Sequence, residues 1–135
     1  VGSSEGQYLD LLGAYLDAVA VLNWLQANFC RPNWAIGFSF GAYIAQQLAI
    51  KQQVGNLLLL APAVARMPFV ELSGDYKTKV LQGEIDTIAK LDDTIAWIKQ
   101  QPVDLQLVVL EQASHFFHGK LHELRQYIVA ILSES

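Results

Sequence analysis

The five residues Gly37-Phe38-Ser39-Phe40-Gly41 constrain this chain more than any other stretch. They lie between an apolar run, Trp34-Ala35-Ile36, and a small-residue helical pattern, Ala42-Tyr43-Ile44-Ala45. That order reads as strand, sharp turn, helix, with a serine at the apex of the turn. In such an elbow the serine backbone is strained and its hydroxyl is lifted clear of the sheet. Glycines are expected on both sides because side chains there would collide with the neighbouring strand and helix. The amide of Phe40 would point the same way as the hydroxyl. The alternative is an ordinary Ser-Gly turn, since the pentapeptide alone is a common pattern; the flanking strand and helix carry the nucleophile reading.

The chain has 135 residues, 53% apolar and 16% charged, enough for one core and hence a single domain over 1–135. Its net charge of -4, with no cluster of lysines and arginines, argues against a nucleic-acid surface, because phosphate binding needs concentrated positive charge. Cys30 is the sole cysteine, so there is no internal disulfide and no cysteine-based metal cluster. A small buried thiol is the reading for it. The longest apolar run, Leu57 to Ala65, is broken by Pro62 and falls well short of the roughly 20 residues a membrane helix requires. No membrane partner is therefore expected. No charged segment followed by an apolar one opens the chain. It begins at Val1 without a methionine, and a cytoplasmic location is the default expectation.

Periodicity organises the rest. Leu9, Leu12, Leu16, Val19 and Leu22 recur at helical spacing from Tyr8 to about Ala27, and Arg31-Pro32-Asn33 breaks the chain. Trp34 to Phe38 predicts a strand. The helix after the elbow runs to about Gln52, with Ala42, Ala45 and Ala49 against a sheet and Gln46, Gln47, Gln52 and Gln53 toward water. Leu57 to Leu60 reads as a strand buried on both faces of a parallel sheet. Residues 63–77 lack a period and predict a loop with one short helical turn. Thr78 to Gln82 predicts a third strand closed by Gly83. Leu91 to Gln100 predicts a helix with Ile95, Ala96 and Ile98 inward and with Asp92 and Asp93 complementing its dipole. Leu105 to Leu110 predicts a fourth strand. A last helix opens at His118 or Gly119 and carries Leu121, Leu124, Tyr127, Ile128 and Ile131. The fold class is α/β: a parallel sheet of about four strands, helices on both faces and right-handed crossovers.

In such a sheet ligands bind at the carboxyl ends of the strands. Ser39 follows the first strand, Glu84 and Asp86 follow the third, and His115 follows the fourth. The order serine, acid, histidine is thereby delivered to one rim. Asp86 competes with Glu84: if the chain between them is extended, Glu84 points to the opposite side. His115 competes with His118 and His122, which stand four apart on the last helix. A metal pair there lacks a third ligand of matching spacing, so capping or solvent-facing roles are expected for them.

Three segments together resemble the alpha/beta hydrolase superfamily: the elbow, Gly83-Glu84-Ile85-Asp86 as its G-x-x-D segment, and Ala113-Ser114-His115-Phe116-Phe117 as its histidine loop. Gly2, Ser4 and Gly6 resemble a further loop of that family. The chain looks most like its small esterase-like or dienelactone-hydrolase-like members. The resemblance implies Ser39 as nucleophile, His115 as base, Asp86 as the residue orienting the imidazole, and the Phe40 amide as an oxyanion donor. Phe116 and Phe117 read as packing residues that desolvate the rim, with Phe116 and Met67 the candidate substrate contacts. Residues 63–77 lie where many relatives carry a lid, simple loop packing being the equal alternative, and the resemblance implies a small acyl substrate and no cofactor or metal. Relatives carry three or four strands before the loop that opens this chain, and a second oxyanion donor comes from there. The expectation is thus of a carboxyl-terminal part of such a domain, with Trp34 to Phe38 as an open edge strand. A non-catalytic interaction module that retains the motifs is the competing expectation.

Overall fold

Leu57, Leu58, Leu59 and Leu60 leave at most 2% of their surface accessible, on alternating sides of one strand, so both faces of the sheet are covered there. This is the centre of a computed structural model that describes residues 34–52 and 54–133. The helix expected over 8–27, Cys30 and the break at Arg31-Pro32-Asn33 lie outside the described residues, as do the side chains of Gln52 and Gln53. The described residues group into two compact units, one running to His115 and the other beginning at Phe116.

The first unit holds β1 (Trp34–Phe38), α1 (Phe40–Gln52), β2 (Asn56–Leu60), β3 (Lys77–Gly83), α2 (Leu91–Lys99) and β4 (Gln106–Leu110). The second holds α3 (Leu121–Ser133). The four strands are parallel and lie in the order β1-β2-β3-β4, with Phe38 paired to Leu60, Leu60 to Leu81, and Gly83 to Leu110 at their carboxyl ends. Among the described residues β1 is an edge strand, as expected. β3 is one residue longer at each end than its sequence pattern, and Gly83 is its last residue rather than the residue after it.

One face of the sheet carries Ala35, Leu57, Leu59 and Val80, with Ala42, Ala45 and Ala49 of α1 packed on them and Trp97 of α2 beside them. Alanines there let the helix lie close to the strands. Gln46 corrects the expectation that the glutamines face water: it is fully buried. Position 46 shares the face of 42, 45 and 49 by helical spacing. Both ends of its amide are bonded, since Nε2 donates to the Val70 carbonyl at 2.8 Å and Oε1 accepts from the Val70 amide at 3.2 Å. Gln47 is half-buried, while Ile44, Leu48 and Ile50 face solvent.

The β2–β3 connection is the expected loop with one turn, in which Arg66 and Met67 donate to the Ala63 carbonyl. Besides the Gln46 clasp, its Leu72 amide donates to Oε1 of Gln101 at 2.9 Å, and Leu72 itself is buried. The segment is thus a fastened loop. In α2 the buried residue is Thr94, whereas Ala96 is exposed, contrary to its expected inward place. Asp92 and Asp93 occupy its first turn as predicted. In α3, Leu124, Ile128, Ile131 and Leu132 are buried and Tyr127 is exposed; Tyr127 therefore does not belong to the apolar stripe that its spacing suggested.

Candidate active site

The turn between β1 and α1 places Ser39 in a left-handed backbone conformation, φ 57°, which costs a residue with a β-carbon about 1 kcal/mol or more. The Ser39 amide continues the sheet ladder by donating to the Leu60 carbonyl at 2.8 Å, and the Ser39 carbonyl accepts from the Ala42 amide at 3.1 Å. The serine is therefore gripped from both sides. A β-carbon on Gly37 would meet the Gly41 carbonyl oxygen at 2.2 Å, so only glycine fits. Gly41 differs from expectation: a β-carbon there meets nothing within 4 Å. The close approach involves the backbone of Gly41, and its missing side chain plays no part.

Beyond β3 the chain turns at once. The Asp86 amide donates to the Gly83 carbonyl at 3.4 Å, and the Glu84 and Ile85 amides donate to the carbonyls of Leu110 and Ala113. These bonds lash the acid turn to the loop that follows β4. A β-carbon on Gly83 would lie 2.2 Å from the Ala113 oxygen, so this glycine allows the two loops to touch. His115 emerges from the second of them.

Three side chains from three strand ends join in one buried line. Ser39 Oγ lies 2.7 Å from His115 Nε2, and His115 Nδ1 lies 2.8 Å from Asp86 Oδ2. The residues are 6%, 4% and 5% exposed respectively, so water competes little for these bonds. A carboxylate only accepts, so Nδ1 carries a proton and Nε2 is left to accept from the serine hydroxyl. The other carboxylate oxygen, Oδ1, accepts from the amides of Ile88 and Ala89 at 2.8 and 2.7 Å. Asp86 is thereby fixed before it meets the histidine. The Phe38 ring packs against the imidazole, centroids 5.2 Å apart and tilted by 40°.

The rival acid is excluded from this line by its own partner, since Glu84 Oε1 accepts from the Gln112 amide at 3.0 Å. The reason differs from the expected strand alternation, because residues 84 and 85 form a turn. His118 and His122 are exposed on the other unit, and among the described residues no group of three or more His, Cys, Asp or Glu side chains could hold a metal. Phe40 is the first residue of α1, so its amide has no partner inside the helix. Met67 is half-buried in the turn after β2, and Phe116 is half-buried directly after His115. No described helix is long and apolar enough to cross a membrane.

The motifs missed two neighbours of the line. Phe38 was read only as strand. Gln82, fully buried in β3, reads in the sequence as the end of the third strand with no role at the site. An amide at the carboxyl end of the otherwise apolar Val80-Leu81 run is the signal that could have drawn attention to it.

No protein-family model matches the chain. An uncharacterized protein of Rickettsia prowazekii, RP471, is 30% identical over 98% of this chain and 63% of its own length. Among solved structures, an alpha-beta serine hydrolase homologue from Coxiella burnetii is 34% identical with a TM-score of 0.68, covering 84% of this chain and 55% of that one. The protein XC6422 of Xanthomonas campestris, described as an alpha/beta serine hydrolase without lid, is also 34% identical, with a TM-score of 0.65 over 79% of this chain and 50% of that one. The chain thus spans about half the length of these solved relatives. With its parallel sheet, its serine elbow and these relatives at one-third identity, the chain has the alpha/beta hydrolase fold and is similar to alpha/beta serine hydrolases.

Proposed function

We propose that this protein is a serine hydrolase that cleaves a small carboxylic ester, or a related thioester or amide, through an acyl-enzyme. The observation that carries the reading is the unbroken buried line from Ser39 through His115 to Asp86. Ser39 Oγ attacks the acyl carbon as Nε2 of His115 takes its proton. The imidazolium so formed keeps its Nδ1–H on Asp86, which holds the tautomer and stabilises the positive charge. The oxyanion accepts from the Phe40 amide. As the tetrahedral intermediate collapses, Nε2 returns the proton to the leaving oxygen and an alcohol departs. Water then repeats the cycle on the acyl-serine and releases the acid. Met67 and Phe116 are the proposed contacts for the acyl group.

A single oxyanion donor can account for about 3 to 4 kcal/mol of transition-state stabilisation, so a second donor matters. The activity is therefore proposed for the full-length protein, and the chain by itself is expected to turn over esters more slowly. A fluorophosphonate probe is expected to label Ser39, and Ser39→Ala to abolish labelling. Labelling that persists in Ser39→Ala refutes the assignment. Equal ester turnover by this chain and by an amino-terminally extended form refutes the need for a further donor. An extended form with neither labelling nor turnover favours the non-catalytic module.

A further inference from the structure

We infer that Gln82 is a positioning residue for Asp86, holding the carboxylate against His115 through the backbone of Ala89. The inference rests on the serine hydrolase reading above. Gln82 is the last residue but one of β3, fully buried beside leucines, where an amide is costly unless both of its ends are bonded. Both are. Nε2 donates to the Ala89 carbonyl, and Oε1 accepts from the Thr94 hydroxyl at 2.7 Å. Thr94 is itself fully buried on α2.

What makes this arrangement functional is where Ala89 points its other group. Its amide donates to Asp86 Oδ1 at 2.7 Å, and Asp86 Oδ2 accepts from His115 Nδ1 at 2.8 Å. Hydrogen bonds thus run from Thr94 through Gln82 to the Ala89 carbonyl and, across the Ala89 α-carbon, from the Ala89 amide through Asp86 and His115 to Ser39. The acid sits in a turn, a structure that cannot by itself hold a carboxylate to a fraction of an ångström. The rigid part is β3, and Gln82 transfers that rigidity to the turn by anchoring the Ala89 backbone through its carbonyl. Among the described residues the Asp86 carboxylate has His115 as its one side-chain partner, so its orientation depends on the Ile88 and Ala89 amides.

The test is Gln82→Met, which keeps the volume and removes both bonds, with Thr94→Val as a second variant that removes only the far bond. The readouts on the full chain are the rate of fluorophosphonate labelling of Ser39 and the far-downfield proton resonance of His115 Nδ1–H. Misplacing a reacting group by about 1 Å costs up to roughly 100-fold, so Gln82→Met is expected to slow labelling between roughly 10- and 100-fold. Thr94→Val should slow it less, and Thr94→Ser should restore it. The His115 resonance should move upfield or broaden in Gln82→Met. In an Asp86→Asn background the same change should alter labelling by less than about 2-fold, because a residue acting only through Asp86 has nothing left to position. Labelling of Gln82→Met within about 2-fold of the wild type, or an equal loss in the Asp86→Asn background, overturns the inference. If the wild type is never labelled, the hydrolase reading fails separately. The resonance then decides: unmoved by Gln82→Met it overturns the positioning role, and moved it supports it.

Discussion

Replacing Asp86 by asparagine separates the chemical role of the carboxylate from its structural one, because its two oxygens have different partners. Oδ1 accepts from the Ile88 and Ala89 amides at 2.8 and 2.7 Å, so in Asp86→Asn the side-chain oxygen must stay there. The new NH2 group then takes the place of Oδ2, 2.8 Å from His115 Nδ1. Two N–H donors cannot face each other at that distance, so the imidazole moves its proton to Nε2. Nε2 then donates toward Ser39 and can no longer accept its proton. A base locked in the wrong tautomer costs roughly ten-thousand-fold in rate, about 5 kcal/mol of barrier. Folding should scarcely change, since both backbone amides keep their acceptor. Asp86→Ala removes that acceptor and orphans the buried Ala89 amide, which costs about 1 to 3 kcal/mol more than Asp86→Asn. Ester turnover and fluorophosphonate labelling measure the first effect, and urea unfolding midpoints the second. Asp86→Asn with turnover within about tenfold of the wild type would refute the tautomer argument. Equal stability of the two variants would refute the capping role of Oδ1.

The rival acid gives a companion test: Glu84→Gln should leave labelling within about 2-fold of wild type, since its carboxylate faces the Gln112 amide. The two elbow glycines should behave oppositely. Gly37→Ala places a methyl 2.2 Å from the Gly41 oxygen and should cost about 3 kcal/mol, while Gly41→Ala meets nothing within 4 Å in a helix and should gain about 0.5 to 1 kcal/mol, both read from thermal or urea unfolding. Gln46→Leu should free the β2–β3 loop by removing both bonds to the exposed Val70 backbone, with a loss of about 0.5 to 1.5 kcal/mol and faster hydrogen exchange through that loop.

The parts of this fold that sequence reveals are those where local chemistry and final environment agree. Leu57 to Leu60 could only be a strand covered on both sides, and it is. The elbow was legible because Gly37 and Ser39 meet a local steric demand. Where a polar residue sits on an apolar face the reading went astray. Gln46 and Thr94 are buried because distant groups, the Val70 backbone and the Gln82 amide, satisfy them. Ala96 and Tyr127 took the exposed places that polarity alone assigns to others. Glu84 and Asp86 illustrate the same limit at the site. Two carboxylates two residues apart differ only in which amides come to meet them, and those amides belong to a turn whose course is not periodic.

The sequence by itself determined the order of the strands' contents: a serine after β1, an acid after β3 and a histidine after β4, each carried by short-range pattern and by the glycines that Ser39 and the acid turn require. It favoured Asp86 over Glu84 on strand alternation and resemblance, and it could not reveal what holds that carboxylate in place. Those are decided by contacts across 29 residues from Asp86 to His115 and 76 from Ser39 to His115, together with the buried Gln82 amide that braces the turn. The physical reason is that strand pattern depends on the side chain's own hydrophobicity, whereas a buried hydrogen bond depends on which partner the fold brings within reach.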